Sequence, residues 1–324
     1  MHLAMNIIPV RVTAAETIAE GIRLLKLAPR DGSMLPVWEP GSHIDLHLGP
    51  GIIRQYSLCG SYRDTSTYEV AVKREAASRG GSKFVHESLS VGSELSISAP
   101  RNLFPMHREA RRSLLVAGGI GITPIISMAR LLRDRGQPFD LLYFARSEAH
   151  AAFRDELSGA ALDGSCQLLF GQERDAVEAT LANALGNRRD DCHLYLCGPQ
   201  PFMDTVRMVA ARHGWPDDAV HLEYFAATPA SGAELETSFD LKLARSNKTF
   251  TVPPGKTIVD VLREHGTDVE TSCEQGVCGT CVVKVLDGCP DHRDCFLTSQ
   301  EQASGNCMAI CVSRSRSTLL VVDL

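Results

Sequence analysis

Ser272-Cys273-Glu274-Gln275-Gly276-Val277-Cys278-Gly279-Thr280-Cys281 is the stretch that decides how this chain is read. It sets three cysteines in a C-x4-C-x2-C spacing, and Cys311 follows in Ile310-Cys311-Val312-Ser313-Arg314. This is the plant-type ligand spacing for a [2Fe–2S] cluster. Three thiolates from one tight loop require the backbone to wrap the cluster, and Gly276 and Gly279 permit the curl. Amide N–H groups turned toward sulfur stabilise the cluster's negative charge. A structural zinc site takes two close ligand pairs. Only one C-x2-C pair is present, so iron–sulfur is favoured over zinc. Cys307 rivals Cys311 as fourth ligand. Cys311 is preferred because it falls in the apolar run Met308–Val312, whereas Cys307 follows Gly305-Asn306. The expected metal ligands are Cys273, Cys278, Cys281 and Cys311.

The residues around this loop read as a small mixed α+β domain over 237–324. Phe239, Leu241 and Leu243 alternate on a strand, Asn247-Lys248 turns the chain, and Thr249–Val252 returns. Thr257 with Asp260 three residues on is a capping-box signal for a helix that stops at Gly266. A strand over Val282–Leu286 follows. Small residues from Thr228 read as a linker, 229–236. Asp291-His292-Arg293-Asp294 reads as a surface loop, with His292 structural rather than catalytic.

Upstream, over 110–228, strand and helix alternate, which predicts a parallel α/β sheet. Leu114–Ala117 is a buried strand. Gly118-Gly119-Ile120-Gly121-Ile122-Thr123-Pro124 follows, with Thr123 expected as N-cap of a helix over Ile125–Arg135. Strands are expected at Asp140–Ala145, Gln167–Phe170, His193–Cys197 and Val220–Phe225. Helices are expected at Ala149–Leu157, Ala176–Leu185 and Pro201–His213. Met203 and Met208 read as core. The glycine loop and Cys197-Gly198-Pro199 both stand at strand ends, where such sheets bind ligands. The loop departs from G-x-G-x-x-G, with Pro124 in place of the third glycine.

Residues 1–109 carry short apolar strands punctuated by glycine and proline, which predicts an antiparallel barrel or sandwich. Arg54-Gln55-Tyr56-Ser57 is a strand with Arg54 and Tyr56 on one face and Gln55 and Ser57 on the other. Gly80-Gly81-Ser82 opens a short helix whose free N–H groups suit a phosphate.

Size supports this division. A chain of 324 residues with 44% apolar residues fills two or three domains. A net charge of −6 gives no basic footprint, so no nucleic-acid partner is expected. Eleven cysteines in so long a chain read as a reduced, cytoplasmic protein rather than a disulfide scaffold. No secretory leader and no membrane span are read.

Taken together, Arg54–Ser57, Gly118–Pro124, Cys197-Gly198-Pro199 and the cysteine set resemble, in this order, the phthalate dioxygenase reductase family. The resemblance runs over nearly the whole chain. It implies a ferredoxin–NADP reductase-like pair, an FMN-binding antiparallel β-barrel and an NAD-binding α/β domain, followed by a C-terminal β-grasp ferredoxin domain. It implies electron transfer from NADH through FMN and [2Fe–2S] to a separate Rieske-type oxygenase component. Arg54, Gln55, Tyr56 and Ser57 would meet the flavin, with Lys73, Gly80, Gly81 and Ser82 toward its phosphate. Thr123 and Phe225 would also lie against the flavin. Gly119 and Gly121 would face the NADH pyrophosphate, and Cys197 and Gly198 the nicotinamide. Arg146 would stand near the ribose and leaves room for NADPH. No separate catalytic residue is expected, because cofactors carry the chemistry. A monomer is expected. The alternatives are a reductase serving a haem monooxygenase and a cluster-based redox sensor.

Overall fold

The computed structural model describes residues 7–49, 51–76, 78, 80–159, 165–187, 191–225 and 237–324. The linker expected at 229–236 lies outside the described residues. The chain divides into two compact units, Met1–Glu223 and Tyr224–Leu324.

The first unit begins with a seven-stranded antiparallel sheet: β1 (Ile7–Ala19), β2 (Ile22–Pro29), β3 (Ser42–His47), β4 (Ile53–Ser57), β5 (Tyr68–Lys73), β6 (Glu94–Ser98) and β7 (Arg101–Asn102). The order is β4-β3-β6-β1-β2-β5, with β7 on β3. A bridge from Leu58 to Val70 joins the two end strands, so the sheet curls into a barrel. Alternate residues point inward, and Val10, Val12, Leu25, Leu27, Ile44, Leu46 and Ile97 are completely buried. Their removal from water is the main source of this lobe's stability. Helix α1 (Gly81–Glu87) follows β5.

The second sheet is parallel throughout: β8 (Arg112–Gly118), β9 (Phe139–Ala145), β10 (Cys166–Phe170), β11 (Cys192–Cys197) and β12 (Val220–Glu223). Its order is β10-β9-β8-β11-β12. The chain therefore winds one way from β8 and then reverses to β11. Adjacent β8 and β11 form the topological switch point, where the loops diverge and leave a crevice. Helices α2 (Ile122–Asp134), α3 (Arg154–Ser158), α4 (Arg174–Gly186) and α5 (Gln200–Arg212) connect the strands. One hydrophobic cluster joins Ile22, Cys59, Ala71 and Phe104 of the barrel region to Leu115, Ile125, Met128 and Tyr195. The change of sheet near residue 109 thus occurs inside one packed unit.

The structure departs from the sequence expectation at two places. Helix α2 starts at Ile122, after a 3-10 turn over Gly119–Gly121, and Gly121 is its N-cap. Thr123 lies inside the first turn, and its hydroxyl donates to the Ile120 carbonyl at 3.1 Å. The chain tightens early because Gly121 packs directly on the Cys197 backbone. The helix expected over Ala149–Leu157 is broken into a 3-10 turn, Glu148–His150, and α3. Phe153 between them is left-handed at φ 60°, with the Arg130 guanidinium 5.8 Å from its ring centroid.

The second unit carries β13 (Phe239–Leu243), β14 (Thr249–Val252), β15 (Val282–Asp287), β16 (Pro290–Asp291), β17 (Cys307–Ala309), β18 (Arg314–Ser315) and β19 (Leu319–Val322), with α6 (Ile258–Glu264) and α7 (Ser299–Ser304). The main sheet runs β14-β13-β19-β15-β17. Its first and last strands, β13 and β19, pair in parallel, and the remaining pairs are antiparallel. This is the β-grasp arrangement, with the buried face of α6 on the sheet. Thr257 and Asp260 form the capping box read from the sequence. Thr298 and Glu301 form a second one, at α7. Among the described residues no helix is long and apolar enough to cross a membrane.

Candidate functional site

The carboxyl ends of β8 and β11 press backbone against backbone. A Cβ on Gly121 would stand 2.2 Å from the Cys197 carbonyl oxygen and 2.7 Å from the Gly198 nitrogen. A Cβ on Gly198 would stand 2.9 Å from the Phe202 ring and 3.1 Å from the Gly118 Cα. Glycine at these positions is a packing requirement. Gly119 differs: it has φ +53° and open space where its Cβ would be. The unobstructed side of the loop is therefore at Gly119, where a ligand can reach the backbone.

Cys197 and Glu223 are register partners on β11 and β12. The Ser57 hydroxyl, from β4, donates to Glu223 Oε2 at 3.3 Å. Burial pushes the Glu223 carboxyl up to about 8, with the Ser57 hydrogen bond opposing. The Cys197 thiol is completely buried and held well above the usual thiol range, by burial first and then by Glu223. Barrel and parallel sheet thus bring a hydroxyl, a carboxyl and a thiol together at the crevice. At neutral pH this carboxyl keeps its proton.

Beside Ser57, Tyr56 packs on the barrel core and burial pushes its phenol up to about 12. The Gln55 side-chain nitrogen is buried without a hydrogen-bond partner, a donor that an acceptor-rich ligand would satisfy. Arg54 donates to the Ile53 carbonyl at 2.7 Å. A Cβ on Gly81 would meet the Arg54 stem at 2.5 Å, so the start of α1 lies on that arginine. Gly80 has φ +94°. Lys73 is exposed and paired with Glu75 at 3.0 Å. The Ser82 hydroxyl accepts from the Glu75 N–H at 3.2 Å and donates to Ser78 at 3.0 Å. Along the carboxyl edge of the sheet, a cavity of about 530 Å³ is lined by Gln172, Arg174, Pro201, Phe202, Asp204 and Thr205. Arg146 is exposed just past β9, and Phe225 is 36% exposed just past β12.

In the second unit the four cysteines stand as two thiol pairs, Cys273 with Cys278 and Cys281 with Cys311. The sulfurs of each pair lie within interaction distance of one another. Among the described residues no three His, Cys, Asp or Glu side chains converge on one point to hold a single metal ion. A two-iron cluster takes two thiolates on each iron. Amides turn toward the sulfurs. Gln275 N–H donates to Cys273 Sγ at 3.3 Å, and the Val277 and Gly276 amides serve Cys273 and Cys311. Gly276 and Gly279 have φ of +72° and +74°. A Cβ on Gly276 would strike Val312 at 2.7 Å, and one on Gly279 the Phe296 ring at 2.2 Å. Cys307 lies on β17 opposite Lys284, outside both pairs.

Residues 241–316 match the 2Fe-2S iron-sulfur cluster binding domain family, and residues 98–220 match the N-terminal domain of dimethylamine monooxygenase subunit DmmA-like proteins. The vanillate O-demethylase oxidoreductase of Pseudomonas sp. (strain HR199 / DSM 7063) is 44% identical over 98% of this chain and 100% of its own. The solved phthalate dioxygenase reductase, described as a modular structure for electron transfer from pyridine nucleotides to [2Fe–2S], covers 98% of both chains at 36% identity and TM-score 0.81. The chain belongs to the phthalate dioxygenase reductase family. It is an oxidoreductase, and its second unit is a [2Fe–2S] domain. An intact type IV self-sufficient cytochrome P450 monooxygenase also contains this architecture, at 37% identity and TM-score 0.78 over 98% of this chain and 41% of that one.

Sequence reasoning missed Glu223 in this reductase. Its available signal was an acid alternating with Val220 and Leu222 at a strand end. It also missed Gln172, Arg174 and Phe202, which no motif marks. Met203 is fully buried, while Met208 is half-buried and lines the cavity.

Proposed function

We propose that this reductase carries electrons from NADH through FMN to its [2Fe–2S] cluster and on to a Rieske-type oxygenase component. The observation that carries the reading is the two-plus-two thiol arrangement, in a chain whose other unit holds a switch-point crevice. When bound, the flavin supplies the conversion of a two-electron hydride donor into the one-electron steps an iron–sulfur cluster accepts.

The chain's own residues bind and orient. We assign Arg54, Gln55, Tyr56 and Ser57 to FMN, with Lys73, Gly80, Gly81 and Ser82 toward its phosphate and Thr123 beside it. Gly119 gives the NADH pyrophosphate access to backbone amides, and Gly121 and Gly198 keep the two turns close enough to form that wall. Cys197 borders the nicotinamide, and Arg146 stands toward the ribose. Glu223 holds a proton at its carboxyl beside Ser57, so the crevice contributes a neutral acid rather than a second negative charge. Cys273, Cys278, Cys281 and Cys311 hold the cluster, with the loop amides offsetting its charge. We further propose that the protein works in the cytoplasm as a monomer, with NADPH the poorer donor.

Absorption spectra with and without NADH, paired with iron, sulfide and flavin analysis, test the cofactor content. Turnover reconstituted with a Rieske oxygenase tests the acceptor. The likeness to the self-sufficient P450 favours one second reading, a haem monooxygenase as acceptor. Product formation with a haem partner and none with a Rieske partner would select it.

A further inference from the structure

A separate cavity of about 140 Å³ lies in the seam between the barrel and the parallel sheet. It sits at the carboxyl end of α2, whose amino end meets the crevice. Thirteen residues at 1.5 Å each put about 20 Å between the two ends. Trp38 comes from the barrel loop before β3, Met106 from the connector before β8, and Leu131, Leu132 and Arg135 from the end of α2. Ser113 comes from β8, on the same face as Leu115 and Ala117, which pack toward α2.

We propose that this seam cavity binds a small aromatic monocarboxylate. Its size admits a single aromatic ring, since an apolar cavity of about 150 Å³ accepts benzene. The lining supplies the apolar faces, with Leu131 and Leu132 6% and 3% exposed. Two donors there have no partner: the Trp38 indole nitrogen and the Ser113 hydroxyl, in residues 6% and 1% exposed. Buried donors without acceptors are rare because each carries a desolvation cost, and a ligand oxygen offsets it. The charge balance selects an anion. Arg108 and Arg135 line the cavity against one acid, Glu39, and among the described residues neither guanidinium has an ion-pair partner. Arginine's planar fork matches a carboxylate.

The test is an NMR titration of the full-length, flavin- and cluster-loaded protein with benzoate. The chain has two tryptophans, so two indole N–H signals report. The Trp215 indole is bonded to the Leu185 carbonyl at 3.0 Å and serves as the internal control. Benzoate at up to about 10 mM is expected to move the Trp38 signal and leave Trp215 in place. Ser113→Ala should weaken binding about five- to ten-fold, and Arg135→Gln about ten-fold. Benzamide, the neutral isostere, should bind about ten-fold more weakly than benzoate. A silent Trp38 signal, equal affinity for benzamide, or unchanged affinity in both variants overturns the proposal. Thermal unfolding without ligand checks the premise independently. Ser113→Ala should be as stable as the parent or more so, because the lost hydroxyl had no partner. A clear fall in its midpoint would reveal a bond already made, and the proposal would fail.

Discussion

Gly119 and Gly121 sit two residues apart in one loop, yet replacing each with alanine should give different defects. At Gly119 the new methyl enters open space, and the penalty is the left-handed backbone at φ +53°. That costs about 1 kcal/mol, the usual figure for an L-residue held there. At Gly121 the backbone is right-handed, φ −60°, so the conformation costs nothing. The methyl instead lands 2.2 Å from the Cys197 oxygen and 2.4 Å from its carbonyl carbon. Neither atom can rotate away, because Cys197 is locked between β8 and β12. The two turns must separate, and overpacking of this kind costs about 3 kcal/mol or more. Both tryptophans, Trp38 and Trp215, lie in the first unit, so tryptophan emission during urea unfolding follows that unit. Gly121→Ala should lower the urea midpoint well below that of Gly119→Ala. Gly119→Ala should instead raise the KM for NADH, because its methyl stands on the open side assigned to the pyrophosphate. Equal stability of the two variants would refute the close-packing argument. An unchanged KM in Gly119→Ala would refute the assignment of that side to the nucleotide.

Glu223→Gln tests the raised carboxyl. A carboxyl raised from 4.5 to about 8 binds its proton more tightly in the folded state. Its contribution is therefore full below pH 4.5 and is lost as pH rises through 8. The variant should gain about 1–3 kcal/mol over the parent between neutral pH and about pH 9, and should flatten any break near pH 8 in single-turnover flavin reduction. Histidine sets the acid limit. His43 is held down to about 3 and His221 to about 4, each chiefly by burial, so both stay neutral in the fold while the unfolded chain charges near 6.5. Stability should fall as pH drops below 6.5, by about 1 kcal/mol per histidine at about pH 5.5, measured by urea unfolding across pH. Cys278→Ser should abolish cluster reduction while NADH still bleaches the flavin, and Cys307→Ser should keep a full iron and sulfide content. Cluster loss in Cys307→Ser would reverse the choice of fourth ligand. Thr257→Ala removes a capping box and should cost about 1 kcal/mol in the thermal unfolding of the second unit.

Short-range features were legible. The hairpin at Asn247-Lys248, the capping box at Thr257 and the strand-turn order of the parallel sheet depend on residues a few positions apart. Thr123 and the segment 149–157 misled for one shared reason. Thr123 has the chemistry of a cap, but Cys197, over seventy residues away, fixes where that helix begins. Phe153 breaks the second segment in a left-handed turn beside Arg130, a residue of α2.

Ligand chemistry and the order of the parts follow from the chain: the cysteine spacing, the glycine loop, and the alternation that separates barrel, parallel sheet and β-grasp. Spacing and periodicity are properties of the chain and survive any arrangement in space. The tertiary fold paired Cys311 with Cys281. It alone set Glu223 beside Ser57 and Cys197, and it made Gly121 a packing residue while leaving Gly119 open. Those facts depend on which distant strands become neighbours, and on burial, which shifts a carboxyl only once other parts of the fold have excluded water from it.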